Sequence, residues 1–197
     1  MIRRNIRLVK PEIRVLGIDD GQFVPHSKSQ VLIVGVVFRG GYWLDGVMST
    51  QMTNDGLDAT QNISKMILES PHYRQLRVVM LNGITFAGFN VVDIKALNAQ
   101  TGLPVIAMTN KKPDLIKVQS ALQHLPNSHE RWKAVLNAGE LYSFTPKTGR
   151  QRIYFETAGV SKSLAEEIIL LTSTRSSIPE PLRVAHMVAS GLTCHIK

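Results

Sequence analysis

Residues 30–38 read QVLIVGVVF, an apolar and mostly β-branched run that satisfies both its backbone and its side chains only as a strand covered on both faces. Arg39-Gly40-Gly41 then supplies a tight turn into Tyr42-Trp43-Leu44, which predicts a hairpin with its return strand continuing to Ser49. Upstream, Val15-Leu16-Gly17-Ile18 is a shorter buried strand that stops at Asp19-Asp20-Gly21, leaving carboxylates at its exit. The chain must therefore begin with a sheet.

After Asn54-Asp55-Gly56 the rhythm changes. Asp58-Ala59-Thr60 opens a stretch in which Ile63, Met66 and Ile67 recur at helical spacing, and Pro71 ends it. Residues 78–81 form the next buried strand, followed by an Asn82-Gly83 turn and a helix carrying Val91, Ile94 and Leu97, closed by Gly102 and Pro104. Residues 104–108 make another strand, and residues 115–122 have the period of a surface helix. A second hairpin is expected from residues 141–144 and 152–155 around Pro146-Lys147-Thr148-Gly149. Helices follow from Ser161 to Leu171 and from Pro179-Glu180-Pro181 through Val188.

Strands that are antiparallel first and parallel later, with helices on both faces, indicate an α/β fold with a ribonuclease-H-like mixed sheet. A doubly wound nucleotide-binding sheet is the competitor, but its dinucleotide fingerprint and phosphate-loop lysine motif are both missing. The length of 197 residues suits one domain spanning 1–197, with 1–14 as a basic N-terminal segment.

Charge narrows the function. The 23 basic and 15 acidic side chains leave +8, which favours a polyanionic partner, DNA or RNA. Arg3, Arg4, Arg7, Lys10 and Arg14 face only Glu12 in the first segment, and Lys147, Arg150 and Arg152 cluster later. No apolar run is long enough for a signal peptide or a membrane span, and the one cysteine, Cys194, cannot close an internal disulfide; a cytoplasmic protein is expected. Neither Cys-x-x-Cys nor Gly-x-Ser-x-Gly occurs, and the six histidines lack helical zinc spacing.

Carboxylates at strand ends are the chemistry that remains, because Mg²⁺ or Mn²⁺ takes oxygen ligands and assists phosphodiester hydrolysis. Asp19 and Asp20 come first, although strand alternation lets only one of them face a given site. Asp55, Asp58 and Asp93 are further candidate metal ligands; Asp58 can equally cap the following helix, and Asp93 can serve the next helix through its dipole. The glycine-rich loop through Asn82, Gly83, Thr85, Phe86, Gly88, Phe89 and Asn90 can offer backbone N–H groups to a phosphate and aromatic faces to a base, or simply turn the chain. Lys111 and Lys112 are candidates for stabilising charge on phosphate, and Lys162 for a backbone contact; each is also an ordinary surface charge.

Gly17-Ile18-Asp19, Leu81-Asn82-Gly83, residues 103–106 leading to Lys111-Lys112, Ile153-Tyr154 and Pro179-Glu180-Pro181-Leu182-Arg183-Val184-Ala185-His186 follow in an order that resembles endonuclease V. The chain is more similar still to the archaeal endonuclease dU family, over nearly its full length, in its Gly-Ile-Asp-Asp-Gly, Phe-Arg-Gly-Gly, Gly-Ile-Thr-Phe-Ala-Gly-Phe-Asn and Pro-Glu-Pro-Leu-Arg-Val-Ala-His segments. The resemblance implies a metal-dependent DNA-repair endonuclease that cuts a phosphodiester near uracil or hypoxanthine, with Asp19 as the strand-end aspartate. Asn82 stands where endonuclease V has a second aspartate, Gly88 and Val160 stand where it has histidines, and its strand lysine falls at Asn110 or Lys111. These departures keep open a nuclease-derived protein that binds nucleic acid without cutting it, and, less directly, a hydrolase of small nucleotides.

Overall fold

The computed structural model describes residues 4, 6–146 and 151–194. The expected opening hairpin is present: β1 (Arg14–Asp20) pairs antiparallel with β2 (Gln30–Arg39), which pairs antiparallel with β3 (Trp43–Thr53). The return strand runs four residues past Ser49, because its residues keep pairing with β2 up to Thr53 opposite Gln30. β4 (Val78–Asn82) and β7 (Val105–Thr109) add in parallel, and β9 (Ile153–Ala158) and β8 (Tyr142–Phe144) close the other edge antiparallel. The resulting order, β3-β2-β1-β4-β7-β9-β8, places β1 and β4 side by side in the middle of a seven-stranded sheet. Residues 147–150, which hold most of the predicted turn of the second hairpin with Lys147 and Arg150, lie outside the described residues; so does Arg3.

Helices cover both faces. α1 (Ala59–Glu69) and α2 (Ile94–Thr101) bury Ile63, Ile67, Ile94 and Leu97 against Leu16, Ile18, Val79 and Leu81 on one side. On the other, α5 (Lys162–Thr172) buries Ile168 and Ile169 against Val15, Val78 and Met80, while α6 (Glu180–Thr193) lays Ala185 and Ala189 over Val34 and Val36. Alternate residues of one strand thus meet different layers, which is why the central strands read as continuous apolar runs.

Two elements depart from the sequence expectation. Val91 does not begin a helix: it belongs to β6 (Asn90–Val91), which pairs with β5 (Thr85–Phe86) as a small hairpin inside the glycine-rich loop. α2 starts three residues later, where Asp93 accepts hydrogen bonds from the N–H groups of Lys95 and Ala96. α3 (Leu115–Leu122) occurs as expected, but it is followed by α4 (Ser128–Asn137), whose polar sequence offers no apolar stripe to read.

α6 lies unusually close to β1. A Cβ at Gly17 would collide with the backbone carbonyl of Pro181 and with its ring. Gly17→Ala should therefore cost about 3 kcal/mol, read as a fall of about 10 °C in thermal midpoint. An unchanged midpoint would show that the helix can yield at no cost.

Candidate active site

Parallel pairing of β1 with β4, with Ile18 opposite Leu81, brings the next residues of both strands together at the sheet's C-terminal edge. Asp19 is only 2 % exposed there. Its Oδ2 accepts from Asn82 Nδ2 at 3.0 Å and lies 2.9 Å from His186 Nδ1 on α6, while Oδ1 accepts from the Asp20 backbone N–H at 3.0 Å. The imidazole is the outward member of the group, with 64 % of its side chain exposed. Burial raises the carboxyl of Asp19 above the usual aspartate range, against the lowering effect of the three hydrogen-bonding groups.

Asp20 points the other way, as alternation requires. Its Oδ2 accepts the backbone N–H of Ala87 at 2.6 Å, tying the glycine-rich loop to the strand end. Burial, with the neighbouring charge of Asp19 adding to it, pushes Asp20 up to about 6.

The remaining sequence candidates separate by what holds them. Asp55, at φ +52°, accepts from the Phe89 N–H at 2.8 Å and faces His26 Nδ1 at 3.1 Å. Asp58 occupies the position before α1 but makes no capping bond; its carboxylate instead receives Thr53 N–H, Thr53 Oγ1 and Asn90 Nδ2. Asp93 is the cap of α2 and also accepts from Asn137 Nδ2 at 2.7 Å. Asp58 and Asp93 hold backbone N–H groups and amide side chains, and Asp55 holds the Phe89 N–H and His26; none of the three joins Asp19. Among the described residues no three His, Cys, Asp or Glu side chains gather in metal-holding geometry.

The loop divides similarly. Phe86 is 1 % exposed and packs in the core, and Asn90 is fully enclosed, bridging Thr53, Asp58 and Ala59, so neither presents a face to a ligand. Phe89 is half-buried against Leu122 and Val135. Gly83, Thr85, Lys111 and Lys112 line one cavity beside Asn82, whereas Lys162 lies over the Tyr142 ring and against Glu166. Arg4 of the basic segment donates to the Tyr73 and Leu76 carbonyls and is therefore engaged in packing.

What the structure brings together is Asp19, Asn82 and His186. The sequence singled out the first two and carried His186 only as part of its segment; pairing it with Asp19 required the crossing of α6 over β1. The set offers a carboxylate, an amide whose oxygen turns inward by a flip about its last bond, and an imidazole. Of the three, the carboxylate and the amide oxygen are the ligand types that Mg²⁺ or Mn²⁺ takes, whereas the imidazole, bonded to Asp19, is a donor these ions seldom use.

Comparison with known proteins places this geometry. The UPF0215 protein of Methanopyrus kandleri is 52 % identical over 188 residues, covering 95 % of each chain. A crystal structure of a protein of unknown function from Archaeoglobus fulgidus superposes with a TM-score of 0.82 at 37 % identity, covering 91 % of this chain and 98 % of that one. Ciona intestinalis endonuclease V, solved with a DNA containing an inosine followed by a ribo-adenosine, gives a TM-score of 0.59 at 13 % identity over 93 % of this chain and 87 % of that one. The last likeness shows the fold: the sheet is the ribonuclease-H-like one of the endonuclease V nucleases. No helix among the described residues is long and apolar enough to cross a membrane. Residues 11–193 match the family described as endonuclease dU, and the chain belongs to that family.

Proposed function

We propose that this protein is a metal-dependent endonuclease that hydrolyses a phosphodiester near a deaminated base, uracil or hypoxanthine, in DNA. The observation that carries the reading is a buried carboxylate, Asp19, joined to Asn82 and His186 at the exit of two parallel central strands in a nuclease fold. The family's description and the inosine-containing DNA held by the Ciona protein support the choice of substrate.

A Mg²⁺ or Mn²⁺ ion held through Asp19 would supply charge stabilisation to the phosphate. Asp19 provides the fixed negative oxygen, and Asn82 and His186 orient it. Asp20, by holding the Ala87 N–H, fixes the loop beside the site. Lys111 and Lys112, beyond the end of β7, meet phosphate charge on the adjoining nucleotides.

The neutral amide of Asn82 favours one other reading, a protein that holds damaged nucleic acid, DNA or RNA, without cutting it. Incubation with uracil-containing, hypoxanthine-containing and undamaged oligonucleotides separates the two. Endonuclease activity predicts nicks on the damaged strands alone, in Mg²⁺ or Mn²⁺ and not in chelator. Salt-sensitive binding without nicks selects the binding protein, and binding indifferent to salt rejects both.

A further inference from the structure

Strand pairing also lines up side chains at the end of the sheet farthest from Asp19. Trp43 of β3 is opposite Arg39 of β2, and Arg39 is opposite Arg14 of β1. The Arg14 carbonyl in turn accepts the backbone N–H of Arg77, the residue before β4. These positions form a row across the sheet, about 14 Å long at ordinary strand spacing. Where the row meets β1 and β4, a cavity of about 320 Å³ opens, lined by Arg4, Arg7, Lys10, Arg14 and Arg77 with one acid, Glu12.

The positive charge of this surface is not balanced from within. Arg14 and Arg39 share Asp45, at 3.4 Å and 3.2 Å, and Glu12 is 4.0 Å from Arg39. Among the described residues, Arg4, Arg7, Lys10 and Arg77 have no carboxylate within ion-pair distance. Two of these guanidiniums are held in place by one of their nitrogens. Arg4 Nη1 donates to the Tyr73 and Leu76 carbonyls, and Arg77 Nη1 donates to those of Arg74, Gln75 and Leu76. Cations fixed in this way lose little side-chain entropy when an anion arrives. At the other end of the row, Tyr42 and Trp43 are 73 % and 60 % exposed.

We propose that this end of the sheet binds a single strand of nucleic acid, with phosphates at Arg7, Lys10 and Arg77 and a base stacked on Trp43. A free oligophosphate would neutralise the cations but leave the aromatic rings in water, and an apolar ligand would do the reverse. A strand supplies repeated phosphates and flat faces together, and an unpaired one has its bases open for stacking where a duplex hides them. Arg14 and Asp19 stand at the two ends of β1, so the row is about 17 Å from the candidate active site by strand rise, at the opposite edge of the sheet. The phosphates bound here are therefore not the one that meets Asp19, and the surface holds a strand whether or not the chain cuts it.

The test uses the full-length protein carrying Trp132→Phe, which leaves Trp43 as its one tryptophan, and an undamaged single-stranded oligonucleotide in chelator. Binding should quench the Trp43 emission and weaken as salt rises. Arg7→Gln with Arg77→Gln should lower affinity about 10-fold or more and reduce the slope of log affinity against log salt by about 1.4, the value for two lost phosphate contacts on a single strand. Anisotropy of a labelled strand needs no change at Trp132: there Trp43→Ala should lose about 10-fold and Trp43→Phe should keep most of the affinity. Lys111→Ala with Lys112→Ala, at the opposite edge, should leave the quench as it was. Binding without a quench, an unaltered salt slope in the double arginine variant, or a quench lost only in the double lysine variant overturns the proposal. Inorganic triphosphate that binds as tightly as the oligonucleotide and ignores Trp43→Ala makes a free oligophosphate the occupant and overturns it too. Quenching by phosphatidylglycerol vesicles with none by the oligonucleotide does the same in favour of a membrane surface.

Discussion

Asp19→Asn should abolish nicking of a deaminated strand, a loss of about 10³-fold or more, while salt-sensitive binding survives. Removing a group that merely orients a metal ligand costs about 10–100-fold, so replacing the sole carboxylate of the donor set is expected to cost more. The exchange is nearly isosteric, which separates chemistry from folding. Its effect on stability even has the opposite sign. The folded-state pKa of Asp19 is raised, so ionisation opposes folding: the cost is absent below the ordinary aspartate range and grows as pH rises through the folded-state value. An amide in its place carries no such cost, and the variant's midpoint should gain on the parent's between acid and neutral pH. Nicking at the parental rate would remove Asp19 from the mechanism.

Arg131→Met is expected to produce the largest loss of stability, about 3–5 kcal/mol, measured as a fall in thermal midpoint of about 10 °C or more. The guanidinium is 2 % exposed and donates to four carbonyls: Pro126 at 3.0 Å, Gly56 at 2.7 Å, Phe89 at 2.6 Å and Asp55 at 2.6 Å. Methionine fills the volume and leaves those oxygens unpaired in a dry environment. Arg131→Lys should recover little, because an ammonium has no planar fork to reach separate carbonyls. Hydrogen exchange should quicken first at Asp55 and Phe89, the two segments this side chain ties together. A midpoint within a degree of the parent's would refute the assignment.

The sheet was legible because its central strands are apolar on both faces. Val15 to Ile18, the run after Gln30 and Val78 to Leu81 each carry enough β-branched or aliphatic residues to exclude other states, and Asp93 marked a helix start. α4 was opaque for a physical reason: one of its two buried residues is Arg131, whose burial is made favourable by carbonyls from distant loops rather than by an apolar stripe. The candidate site was half legible. Asp19 and Asn82 sit at strand ends that pattern reading finds, but nothing local distinguishes Asp19, which meets Asn82 and His186, from Asp55, Asp58 and Asp93, which serve the loops and helix starts.

The close seating of α6 on β1 also orders events in time. His186 and Asp19 are 167 positions apart, and Gln22 N–H is held by Thr193 Oγ1 at 2.7 Å, so the strand end acquires its imidazole only after the ribosome has released nearly all of the sheet and its other helices. A growing polypeptide accordingly carries an incomplete centre through most of its synthesis. The strand end is thus completed only when α6 arrives, after every strand of the sheet has been made.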